Sequence, residues 1–84
     1  MDIKVGTIVC SRAGRDKGRF FAVLELNEKY AEIADGDLRK TAKPKRKSLR
    51  HLAATNHVLP YVQRLDDKAL YNGIYGSVNC QKED

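Results

Sequence analysis

Tryptophan is absent from the 84 residues, and aromatic residues make up only 7% of them: Phe20, Phe21, Tyr30, Tyr61, Tyr71 and Tyr75. The basic stretches therefore lack dense aromatic interleaving, and base stacking of the single-strand-binding kind is not expected to dominate there. Cysteine is limited to Cys10 and Cys80, far apart and without CxxC spacing. That argues against a disulfide framework and for two reduced thiols. With His51 and His57 these cysteines make the candidate metal set, but no two sit at the close spacing of structural zinc sites. No metal and no cofactor are expected. No apolar run approaches the ~20 residues that span a bilayer, so no membrane partner is expected. The opening MDIKVGTIV lacks a basic head followed by an apolar segment, which is not the pattern of a signal peptide; the expected compartment is the cytoplasm.

Catalytic signatures are missing too. There is no GxxxxGK[ST] and no GxGxxG. The two glycines of GRDKG, Gly14 and Gly18, lie between two strand-like stretches and do not open a helix, which weakens any nucleotide-loop reading. Asp35 and Asp37 flank Gly36 and read as turn formers rather than an acid/base pair. Nothing places a base beside either cysteine. Neither an enzyme nor a small-molecule substrate is expected. A chain of this length has room for one domain and buries a modest share of its surface.

Acid is missing from residues 39–64, which hold eight cations. Residues 4–19 carry five cations against Asp16 alone, whereas residues 20–38 carry Lys29 against five acids. The net charge of +5 thus hides two basic blocks separated by an acidic one. Such clustering is the electrostatic footprint of a nucleic-acid surface, although a solvated basic face has the same composition.

Alternation predicts a first strand over 3–10 and a second over 19–26. Between them lies a polar loop with Arg12, Gly14, Arg15, Lys17 and Gly18, followed by Arg19. Along the second strand Phe20, Ala22, Leu24 and Leu26 are expected to point inward. Phe21, Val23 and Glu25 form the other face, with Phe21 either covered by the C-terminal segment or exposed as a stacking platform. Asn27-Glu28 marks a turn, 30–34 a third strand, and Asp35-Gly36 a hairpin returning as a fourth strand over 38–41. Pro44 excludes a helix centre, so 42–48 reads as an exposed loop or edge segment. Leu49, Leu52 and Ala53 return as a short last strand. Five short strands suffice to close a small barrel. Residues 56–64 read as a packed connector. Asp66-Asp67 suggests a helix start, with Ala69, Leu70, Tyr71 and Ile74 forming its stripe. Gly73 weakens that helix and Gly76 stops it after one or two turns. Residues 79–84 are expected to be disordered.

The stretch GTIVCSRAGRDKGRFF, a strand, a basic loop with embedded glycine and a second strand, resembles the KOW motif. Together, VGTIVCSRAGRDKGRFFAVLEL, YAEIADGDLRK and KPKRKSLRHLAAT, covering about residues 3–55, are similar to the large-subunit ribosomal family grouped as fourteen-e, six-e and twenty-seven-e. The resemblance implies an SH3-like β-barrel over 1–55 that binds ribosomal RNA, with neighbouring ribosomal proteins as further partners. Residues 56–84 lie outside it and read as an extension packed on the barrel. The second reading is a protein-interaction module, since SH3-like barrels also dock onto transcription-elongation or ribosome factors. For RNA, the expected contacts are Arg12, Arg15, Lys17 and Arg19 in the loop and Arg39, Lys40, Lys43, Lys45, Arg46, Lys47 and Arg50 in the second block. Gly14 and Gly18 shape the loop. Contact is expected mainly through phosphates and through the shape of folded RNA. If these cations are free on the surface, replacing Lys45, Arg46 and Lys47 by alanine weakens binding and leaves the fold intact.

Overall fold

The computed structural model describes residues 3–82, with side chains described to residue 78. Five antiparallel strands form one sheet: β1 (Thr7–Ser11), β2 (Phe20–Leu26), β3 (Tyr30–Ala34), β4 (Lys45–Ser48) and β5 (Leu52–Val58). Their order is β4-β3-β2-β1-β5. A C-terminal helix, α1 (Asp67–Lys82), follows.

The sheet is rolled. β4 and β5 occupy its two edges, yet only one 3₁₀ turn, Leu49–His51, joins them. Four inter-strand steps of ~4.8 Å would set flat edges about 19 Å apart. A 3₁₀ turn rising ~2 Å per residue covers about 8 Å. The edges must therefore curl toward each other, although the strand order shows no ladder between them.

Rolling gives the sheet two buried faces. Val9, Phe21, Val23, Ala31, Ile33 and Leu52 fill one of them, with Leu49 and Ile3 packed against it. Ile8, Ala22, Leu24 and Ala34 form the other, covered by Val62, Leu70, Ile74 and Val78. The expected inward set along β2 is thus only half of the core. Phe21 is fully buried inside the curl, neither a stacking platform nor under the C-terminal segment. Leu26 is exposed where the strand leaves the sheet.

Four elements differ from expectation. Strand β1 starts at Thr7 because residues 4–7 form a turn, in which the Thr7 N–H donates to the Lys4 carbonyl at 2.9 Å. Residues 38–41 do not form a strand. The buried Asp35 carboxylate accepts the Asp37 and Arg39 N–H groups, both at 2.9 Å, and so folds 35–39 into a turn. The fourth strand is Lys45–Ser48 instead, at the sheet edge. The helix is also longer than one or two turns, passing Gly73 and Gly76 and continuing through 79–82, where disorder was expected. Residues 83–84 lie outside the described residues. Asp66 starts the helix by accepting the Ala69 N–H at 2.8 Å. Gly73 is packed rather than tolerated: a Cβ there would crowd both Leu59 methyls at 3.3 Å. Strand β5 continues past Thr55 to Val58. The register is irregular between Thr7 and Val9, where Thr55 Oγ1 donates to the Ile8 carbonyl at 2.7 Å.

Among the described residues no helix is long and apolar enough to cross a membrane.

Candidate functional site

The β1–β2 connection, residues 12–19, is closed at its base by two backbone bonds. Ser11 N–H donates to the Arg19 carbonyl at 2.9 Å, and Gly18 N–H to the Ser11 carbonyl at 2.8 Å. Gly14 and Gly18 both have positive φ, 85° and 90°, which fits the loop-shaping part expected of them. Arg12 N–H donates to the His51 carbonyl at 2.8 Å, tying the loop to the turn between β4 and β5.

Asp16, the single acid of the first basic block, organises the loop from within. Its side chain is 9% exposed. Lys47 Nζ lies 2.9 Å from Oδ1 and 2.7 Å from the Ala13 carbonyl. Lys45 Nζ lies 3.0 Å from Oδ2, and the Ser11 hydroxyl donates to Oδ1 at 2.7 Å. Burial alone would disfavour the carboxylate. The hydrogen bonds from Lys47, Ser11 and Lys45 outweigh it, and they hold Asp16 well below the usual carboxylate range.

The pairing register explains how two β4 lysines reach the loop. Lys47 stands opposite Ala31 and Lys45 opposite Ile33, on the face of the inner core. At the sheet edge that face ends under the loop, and Asp16 receives the ammonium groups there. Lys47 is only 8% exposed, so it braces the loop and does not display a free charge. Lys45 is half-buried. The picture of 42–48 as a run of free cations is therefore corrected at these two positions. With it falls the expectation that alanine at 45, 46 and 47 leaves the fold intact, because that variant strips Asp16 of both ammonium partners.

The remaining cations sort by position. Arg12, Arg15 and Lys17 are exposed on the loop. Arg15, Arg39 and Lys45 line one hollow of about 260 Å³ with Asp16 and Leu38, which joins the loop, the 35–39 turn and β4. Arg50 is exposed beside His51, the residue that holds Arg12. The loop thus meets the 35–39 turn through Arg15 and the β4–β5 link through Arg12 and His51. Arg19 is turned toward the acidic turn, with Nη2 3.5 Å from Asp35 Oδ2 and 3.9 Å from Asp37 Oδ2. Arg46 faces away from the loop, pairing with Glu32 at 3.4 Å, its guanidinium 4.3 Å from the centre of the Tyr30 ring. Lys40 and Lys43 are exposed on the turn before β4, where Lys43 N–H donates to the Lys40 carbonyl at 3.0 Å.

Asp16 and Ser11 were missed as functional residues in the sequence. The signal available was the presence of one acid among five cations. Cys10 is a free thiol on β1, and among the described residues no three His, Cys, Asp or Glu side chains gather as metal ligands do. In comparisons with known proteins, no family model matches the chain and no curated protein matches it.

Proposed function

We propose that the chain is an RNA-binding protein of the KOW type, a small SH3-like barrel that acts in the cytoplasm on ribosomal RNA of the large subunit. One observation carries the reading. The loop that bears Arg12, Arg15 and Lys17 is locked by Asp16 to β4, and its Arg15 lines one hollow with Arg39 and Lys45. Cations fixed around a concave surface match the phosphates of a folded RNA, whose grooves are recognised by shape rather than by base edges. The resemblance of residues 3–55 to the ribosomal family supports the same partner. The strand order and the one-turn link between β4 and β5 support the barrel. Arg12, Arg15, Lys17, Arg39 and Arg50 make the contacts. Lys45 and Lys47 shape the surface from beneath.

Sedimentation of a cell lysate through a sucrose gradient, with and without ribonuclease, tests this. Co-migration with large subunits, abolished by ribonuclease, is the expected result. Association with a protein partner that survives ribonuclease would replace the RNA reading with that of a protein-interaction module.

A further inference from the structure

Tyr61 is the one described non-glycine residue with positive φ, at 57°, in the left-handed region that side chains larger than glycine's seldom occupy. Its backbone conformation is not rewarded by packing, for the residue is 75% exposed. Strain at an exposed aromatic residue is an observation that points toward use of the ring.

The surroundings are equally specific. Tyr61 lines a hollow of about 470 Å³ with Lys4, Val5, Val58, Leu59, Pro60 and Arg64 among its walls, and among the described residues no acid takes part. Val5 and Val58 are 42% and 44% exposed, so apolar surface on its walls is open to solvent. Backbone bonds fix its walls. Leu59 N–H donates to the Gly6 carbonyl at 2.8 Å, Thr7 N–H to the Lys4 carbonyl at 2.9 Å, and Arg64 N–H to the Tyr61 carbonyl at 2.9 Å. The Arg64 guanidinium lies 5.8 Å from the centre of the Tyr61 ring. Thr7 pairs with Val58 and Ser11 with Leu52, so this hollow and the basic loop sit at opposite ends of β1. Along five residues of strand that is a separation of about 15 Å.

From this arrangement we infer that the Tyr61 hollow is a second nucleic-acid site, taking an unpaired nucleotide of a single strand. The base stacks on the Tyr61 ring, and the phosphates on either side meet Arg64 and Lys4. An exposed ring in a hollow with two cations on its walls is the pairing of stacking platform and positive groove that single strands require. The site lies on a different surface from the basic loop and does not depend on it.

The test uses the full chain labelled with ¹⁵N, titrated with an oligouridylate of about eight nucleotides and separately with a fully paired RNA duplex. The oligouridylate is expected to move the amide signals of Val5, Val58, Leu59, Tyr61 and Val62, and Tyr61→Ala to weaken its binding at least about fivefold. Tyr61→Phe keeps the ring and retains affinity. Tyr61→Gly relieves the backbone, raises the melting temperature and still loses affinity, which separates loss of the ring from loss of the fold. The double variant Arg12→Ala, Arg15→Ala weakens the duplex and leaves the oligouridylate shifts around Tyr61 in place. Shifts confined to the basic loop, absence of any shift, or equal affinity of Tyr61→Ala and the unaltered chain each overturn the inference. Failure of the duplex to bind overturns the basic-loop reading instead.

Discussion

Lys47 brings an ammonium group to the core face of β4, where an apolar side chain is the ordinary occupant. It is tolerated there because Asp16 and the Ala13 carbonyl receive it at 2.9 and 2.7 Å. Removing one partner of a buried charge costs more than the pair contributes, since the other partner keeps its desolvation. Lys47→Ala is therefore expected to lower the unfolding free energy by about 2 kcal/mol in urea titration, because Lys45 and Ser11 still hold Asp16. Lys43→Ala, on the exposed turn, is expected to stay within about 0.5 kcal/mol. Acid gives a second test. Asp16 is held below its ordinary value, so its contribution is complete above the unfolded value of about 3.9 and is lost as pH falls toward the lowered one. Stability measured from pH 5 downward is expected to fall in the unaltered protein below about pH 4. Asp16→Asn is expected to lack that component of the decline. The sequence shows Asp16 as the one acid among five cations, but not its partners. The lysines lie 29 and 31 positions from Asp16, and charge counting treats each as one more free cation.

Among the elements, β2 and β3 were the most legible, because alternating β-branched and aromatic residues have few other uses. Expectation failed where a side chain bonds the backbone or a glycine serves packing. Asp35 makes a turn of the stretch expected as a strand by capping two amides, and Gly73 keeps the helix whole by making room for Leu59. Two glycines with similar φ separate these effects. At Gly18, with φ 90°, an added Cβ meets nothing within 4 Å, so alanine there carries only the left-handed penalty of about 1–2 kcal/mol. At Gly36, with φ 82°, the same Cβ would run into the backbone carbonyl of Asp67 at the start of α1. Gly36→Ala is expected to lower the melting temperature well beyond Gly18→Ala, by forcing the helix away from the 35–39 turn. Asp67 also accepts the Thr41 N–H at 2.7 Å, so that displacement would break a second tie.

Over the whole molecule, Arg12, Arg15, Arg39 and Arg50 are exposed on the loop, the 35–39 turn and the β4–β5 link, while Arg19, Lys45, Arg46 and Lys47 are engaged with acids. The two basic blocks were plain in the sequence. Their meeting at the β1–β2 loop was not, because it depends on how β4 packs beside that loop. A triple variant, Arg12→Ala, Arg15→Ala and Arg39→Ala, is expected to weaken binding of folded RNA and to flatten its salt dependence by about 0.7–0.9 logarithmic units for each phosphate that is no longer neutralised. Each substitution is expected to change stability by no more than about 0.5 kcal/mol. Measured on the same RNA, the variant with alanine at 45, 46 and 47 is expected to lose binding together with its cooperative unfolding transition.

The tie between Asp16 and β4 also bears on the entropy of association. Hairpin tips usually fluctuate, and a ligand that orders one must offset the freedom it removes. Here the ordering has been done by folding. The backbone of the loop has little freedom left to surrender, so if the chain binds RNA as proposed, more of the ordering cost falls on the RNA. The same restraint predicts a signature in the free protein: the Gly18 amide hydrogen, bonded across the loop to Ser11, and that of Arg12, bonded to His51, are expected to exchange with solvent as slowly as those of the β1–β2 ladder.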